Sequence, residues 1–446
     1  MRRVVITGLG AISPHGLGAP ALWDALLAAK SSTNTLKRFD PAAFPSTVAG
    51  EVPPFKTTEY VPKAYRKATK IMARDIELAV VAADLAVKDA KLQTKGIPDP
   101  APTGFYKPNP TRVGCNIGAG LISADLTELS QAMAQARNPD NTLDLARWGK
   151  SDDPAKTSGM ENLTPLWLLK YLPNMLACHV SIIHDTQGPS NTITCGQASA
   201  GLALAEAART IQRGHADLAL VGGCETKVHE MGLMRWSLLH RLNTTSNDSP
   251  ATACRPYDQS AAGSVIAEGG AVLVIEELQH ALARNATIYA EVVGLGASAN
   301  ASAASSVIDP DPTGEAPSVA LKKALKNANL SPDQLDLVIP SSYAIPAWDA
   351  SDAAALHAVF GNNLPPVLPA RAGIGDCGAG AQALDLVTAA LALHHQLIPP
   401  AANIQNPIAN LPIPTAPIQK PLTHTATLTA ALGGQNSAVI LKKYTP

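Results

Sequence analysis

The residues of this chain that could carry nucleophilic or acid–base chemistry are few. Its six cysteines, Cys115, Cys178, Cys195, Cys224, Cys254 and Cys377, show no paired C-x-x-C spacing. That argues against a zinc site or a disulfide framework and for small, mostly buried thiols in a reducing cytosol. Cys195 closes the short apolar strand Thr192–Cys195 just ahead of a helix. A thiol there is a candidate nucleophile, with a buried strand cysteine as the plainer reading. His179 and His184 precede the turn Gly188-Pro189-Ser190 and are expected to be packing or loop residues. Ser341-Ser342 has no base beside it in sequence, which disfavours a serine hydrolase, and Asp376 is either a general base or a polar residue put to another use. Lys63, Arg66, Lys67, Lys70 and Arg74 are spaced to fall on one stripe of a helix. Such a stripe is either a solvated face or a docking site for an acidic protein.

The elements that would position these groups follow from periodicity. Apolar residues make up 46% of the 446 residues and charged ones only 16%, enough for a large core with few solvating tails. The formal net charge of -1 gives no reason to expect nucleic acid or a membrane surface as partner. No metal or cofactor motif is present, no run is long enough for a transmembrane helix, and a cytoplasmic location is expected. Val4 to Gly10 is a buried strand ending in a glycine turn. Residues 60–92 are helical in pattern, 94–110 form a loop, and 137–163 form a polar surface insertion. Val113 to Ile117 is a buried strand leading through Gly118-Ala119-Gly120 into a helix bearing Leu121, Ile122, Asp125 and Leu129. Gln197 to Arg213 is an Ala-rich helix stopped by Gly214, and Leu218 to Gly223 a buried strand. Gly269-Gly270 and Gly433-Gly434 each lead into a strand, and the second half of the chain echoes the first. The pattern predicts a duplicated α/β protein with halves 1–285 and 286–446.

Several stretches resemble the β-ketoacyl carrier-protein synthases. They are Val4 to Gly10, Gly188-Pro189-Ser190, Leu218 to Gly223 with Glu225, Arg255-Pro256-Tyr257-Asp258, Glu268-Gly269 and Leu432-Gly433-Gly434-Gln435-Asn436. They follow the family's order over nearly the whole chain. The resemblance implies the thiolase fold, a five-layered αβαβα core from two pseudo-repeats that dimerises. It also implies condensation of acyl chains with malonyl units on acyl carrier protein. The cysteine takes the acyl chain at a helix N-terminus, and two histidines and a lysine assist.

Placed by that resemblance, the catalytic positions are degenerate. Counting back twelve from Arg209 puts Gln197, ahead of Ala198-Ser199-Ala200-Gly201, at the nucleophile. An amide cannot form a thiolate, but it can hydrogen-bond into the site. The first histidine motif, Asn-x-His-Gly-Thr-x-x-Pro, aligns with Ile339 to Pro346 and leaves Ser341 at the histidine, with Asp349 and Asp352 keeping the register. The second, Lys-x-x-x-Gly-His, aligns with Arg371 to Asp376 and replaces the lysine by Arg371 and the histidine by Asp376. The resemblance narrows to the chain-length-factor subunits, which pair with an active ketosynthase and shape its acyl tunnel. It implies that Leu121, Ile122, Asp125, Leu129 and Leu432 line the tunnel and that the cation stripe docks acyl carrier protein. The thiolase-fold frame leaves two alternatives: an acyltransferase using Cys195 or a remodelled site, and a homodimer that only binds acyl chains or carrier protein.

Overall fold

A computed structural model describes residues 2–150, 157–300 and 309–445; part of the polar insertion expected at 137–163 lies outside them. The principal strands are β1 (Val4–Ser13), β2 (Val113–Ala119), β3 (Ser190–Ile193), β4 (Leu218–Thr226), β5 (Ile266–Glu277), β6 (Ala290–Ala299), β7 (Leu337–Ile339), β8 (His424–Ala430) and β9 (Gln435–Lys442). They form one continuous sheet in the order β7-β8-β9-β6-β1-β5-β4-β2-β3. The β1–β6 seam is narrow, pairing only Val4–Ile6 with Val292–Ala290. On either side of it lies a mixed sheet: β2 runs parallel to β3 and β4, and β7 parallel to β8, while the remaining neighbours are antiparallel.

The principal helices are α1 (Arg74–Asp89), α2 (Leu126–Gln135), α3 (Met175–His184), α4 (Ser199–Gln212), α5 (Glu315–Ala328), α6 (Pro346–Phe360) and α7 (Ala381–His395). Their apolar faces decide the layering. The alanines of α4 and the Leu/Ala faces of α7 share one core with β1, β5, β6 and β9. α1 and α3 cover the outer face of β2, β4 and β5, and α5 and α6 cover β8 and β9. The result is the five-layered αβαβα thiolase architecture expected from the resemblance. Small residues let the layers meet: a side chain at Gly10 would come within 2.0 Å of the Ala82 carbonyl, so β1 and α1 touch backbone to backbone. Burying each Val, Leu or Ile of these faces stabilises the fold by about 1.5–3 kcal/mol.

Two expected helices differ. Lys63–Ile71 is a 3-10 helix, separated from α1 by the buried Met72. With three residues per turn, its exposed cations stand in two short files, Lys63 with Arg66 and Lys67 with Lys70, and not on one α-helical stripe. Residues 120–125 are not helical; the carboxylate of Asp125 accepts from the Thr127 and Glu128 amides at 2.8 and 3.2 Å and starts α2 there.

Candidate active site

The turn that opens α4 sets the site. Gly196 takes φ 55, where a side chain is disfavoured. Ser199 Oγ accepts from the Cys195 amide at 2.8 Å and donates to the Gly196 carbonyl at 2.6 Å, locking the turn. Gln197 is thereby held at the inner end of α4, 4% exposed. Its amide is used at both ends: Nε2 donates to Asp376 Oδ2 at 2.9 Å, and Oε1 accepts from the Leu432 amide at 3.3 Å.

Asp376 is fully buried on a stretch that bridges to Ile266 in β5, and its Oδ1 accepts from the Gly378 amide at 3.0 Å. Arg371 lies behind it, also fully buried. Its Nε donates to both oxygens of Asp385 in α7 at 3.1 and 3.3 Å, and its NH1 is 4.0 Å from Asp376 Oδ1. Burial opposes the guanidinium's charge, but Asp385, Tyr343 and Asp376 outweigh it and hold the group protonated. Gln197, Asp376 and Arg371 therefore form one chain of contacts. The Ser341 Oγ accepts from the Ala430 amide at 3.0 Å, two residues before Leu432. Tyr343 clamps the same residue, donating to the Ala430 carbonyl at 2.6 Å. Asp349 and Asp352 accept from the amide and hydroxyl of Tyr257, each at 2.9 Å, and burial pushes Asp352 up to about 6.

The centre holds members that sequence reasoning missed. Asp385 is one. Glu225, noted only as a motif residue, accepts from the Ala379 amide at 2.6 Å and pairs with Lys227. Asp385 could have been suspected as the only acid in the Leu/Ala-rich α7; Lys227 carries no comparable local signal.

Other expected residues lie apart. Cys195 is half-buried on the strand side of the turn, with its thiol pushed up by burial. His179 and His184 are packing residues of α3, bonded to Tyr65 and Thr94 at 2.8 Å. Burial lowers both imidazoles, His184 to about 3, so they stay neutral. Leu432 and Ile122 are each 5% exposed, Leu129 is half-buried, and Leu121 is 68% exposed. Arg74 leaves the cation patch: at the start of α1 it turns inward to Glu268, with Nε–Oε2 at 3.0 Å and NH2–Oε1 at 2.9 Å. A buried carboxylate outcompetes solvent for it.

The family models decide the kinship. Residues 1–281 match the N-terminal domain of beta-ketoacyl synthase, and residues 289–405 match its C-terminal domain. The chain belongs to the beta-ketoacyl synthase family. Within that family it is similar to the 3-oxoacyl-[acyl-carrier-protein] synthase 2 of Coxiella burnetii, 31% identical over 91% of this chain and 89% of that one. It is also similar to the enzyme of the same name from Rhizobium meliloti, 28% identical over the full length of both. Among solved structures it is similar to the ishigamide ketosynthase/chain length factor, with a TM-score of 0.81 and 25% identity over the whole of both chains. A beta-ketoacyl synthase from Burkholderia phymatum shares the fold at a TM-score of 0.83, 24% identical over the whole of both.

Proposed function

We propose that this beta-ketoacyl synthase family member is a non-condensing subunit of the chain-length-factor kind, which pairs with an active ketosynthase and shapes the acyl tunnel. The observation that carries the reading is the engagement of Gln197. Its amide occupies the helix-terminal position where the family resemblance expects a thiol, and spends both ends on Asp376 and Leu432. The two partner positions offer a carboxylate and a serine hydroxyl bonded to backbone, not imidazoles. A carboxylate repels the oxyanion that malonyl decarboxylation and condensation develop, where a histidine would donate to it. The curated relatives named above are called synthases, so the difference rests on these residues. The ketosynthase/chain length factor relative supports the pairing.

The test has two parts. Co-expression with an intact ketosynthase is expected to yield a co-purifying heterodimer; persistent separation of the two would sink the pairing. A carrier-protein assay on the purified chain alone is expected to give no condensation for wild type and at most slow self-acylation for Gln197→Cys. Each missing oxyanion donor costs about 2.7–4 kcal/mol, roughly a hundredfold to a thousandfold in rate, and groups that act as a unit are strongly non-additive. Condensation should stay near background until Ser341→His and Asp376→His are added as well. Robust condensation by wild type, abolished by Cys195→Ala, would establish the remodelled-site acyltransferase instead.

A further inference from the structure

The loop at 94–110 meets the C-terminal end of α3, and the two bound a cavity of about 330 Å³. That volume suits a small ligand. None of the lining residues belongs to the Gln197 centre.

His184, the last residue of α3, lines the cavity and is 3% exposed. Its Nδ1 lies 2.8 Å from Thr94 Oγ1, which also receives the Gly96 amide at 3.3 Å. The Thr94 hydroxyl still has its own proton to place, and Nδ1 is the acceptor beside it. Burial keeps the imidazole neutral, so with Nδ1 accepting, the single ring proton sits on Nε2. Nε2 is buried and has no hydrogen-bond partner among the described residues. Gly96, outside the lining, covers the other edge of the ring; a side chain on it would come within 2.6 Å of Nδ1 and 2.7 Å of Cε1. The Nε2 edge is the one left to the cavity. A buried donor with no acceptor is costly, and a ligand oxygen placed there would satisfy it.

The rest of the lining carries charge of both signs. Lys95 and Lys107 bring ammonium groups, and Asp99 and Asp185 carboxylates. Among the described residues the side chains of Lys95, Lys107 and Asp99 have no ion pair or hydrogen bond. Asp185 has one oxygen engaged, accepting from Gln187 Nε2 at 3.1 Å. The C-terminal end of α3 adds partial negative charge. Ile97, Pro108 and Val113 supply apolar surface. A simple anion or cation would be drawn by one pair of charges and opposed by the other. A ligand that is neutral overall but carries both charges gains from both pairs. The small volume requires those two charges to lie close together, as they do in an α-amino acid.

We propose that this cavity binds a free α-amino acid with an aliphatic side chain. Its carboxylate accepts from His184 Nε2 and pairs with the lysines, its ammonium pairs with the aspartates, and its side chain lies on Ile97, Pro108 and Val113. The site is additional to the subunit reading and does not depend on it.

The experiment titrates the full purified chain calorimetrically with three compounds. They are L-leucine, 4-methylpentanoate, which lacks the ammonium, and 3-methylbutylamine, which lacks the carboxylate. Leucine is expected to bind with a Kd of about 1 mM or below, and each partial compound at least about tenfold more weakly. His184→Phe removes the Nε2 donor, and Lys95→Met with Lys107→Met removes both ammonium groups. Each variant, checked for folding by its thermal transition, is expected to weaken leucine binding at least about fivefold. If His184→Phe fails to fold, the lysine variant carries the comparison. No binding of leucine at about 10 mM, a partial compound that binds as tightly as leucine, or a leucine affinity unchanged in the folded variants would overturn the proposal.

Discussion

At the scale of single residues, the candidate centre is held by contacts among buried polar groups. Gln197, Asp376, Arg371 and Asp385 are joined by hydrogen bonds and one ion contact in a buried region, although Arg371 NH1 and NH2 make no hydrogen bond there. Buried charge of this kind persists only when paired. Asp75 is less well compensated, and that makes it measurable. Its ordinary value is 3.8 and its folded value about 7, raised first by burial and then by Glu225. Between those values the folded chain holds a proton that the unfolded chain has lost. The stabilisation from this group is therefore complete below pH 3.8 and is lost as pH rises through about 7. Asp75→Asn keeps an acceptor for the Thr226 amide and removes the titration. Relative to wild type, the variant should gain up to about 3 kcal/mol between pH 5 and pH 8, read by urea unfolding at the two values. Parallel wild-type and variant profiles would show that Asp75 titrates normally.

At the scale of elements, the segment Lys63–Ile71 presents Lys63, Arg66, Lys67 and Lys70 to solvent, while Arg74 is withdrawn into α1. Exposed cations of this kind carry no packing role, and their contribution to a partner is steering. We expect Lys67→Glu with Lys70→Glu to leave the thermal transition unchanged and to weaken binding of acyl carrier protein. The loss should shrink as salt rises toward 1 M, where charges are screened within about 3 Å. Binding unchanged at low salt would reduce the segment to a solvated face.

At the scale of the whole molecule, two features face outward together. Among the described residues β3 is one edge strand of the sheet, with Ser190 and Asn191 exposed, and Leu121, Leu145, Leu166 and Leu238 are 68%, 75%, 62% and 71% exposed. An open strand edge pairs readily with another chain, and large apolar residues in the open favour burial. A dimer through β3, with a ketosynthase or with a second copy, would cover that edge. The Thr192 amide donates to the Asn191 side chain at 2.8 Å and not to β2. Thr192→Pro should therefore spare the fold while blocking edge pairing, and native mass measurement should move from dimer to monomer. A wild-type chain that is already monomeric at micromolar concentration would remove this interface.

Much of this was written locally. Glycine-bounded apolar runs located β1, β2, β4 and β9, because a strand buried on both faces must be apolar throughout. The Ala-rich run from Gln197 marked α4, because two layers can close on it only if its side chains are small. Motif register assigned Gln197, Ser341 and Asp376 to the positions where the resemblance expects the catalytic residues, and the structure brings Gln197 and Asp376 into hydrogen-bond contact. Tertiary contact decided the rest. Lys63 to Lys70 have a spacing that suits a 3-10 or an α-helix equally, and the burial of Met72 separates them from α1. Arg74 looked like a surface cation until Glu268, 194 residues away, turned it inward. The bond from Gln197 to Asp376 spans 179 residues and the contact from Glu225 to Ala379 spans 154. Hydrogen bonds of that reach depend on how the layers stack, and no local pattern of residues encodes them.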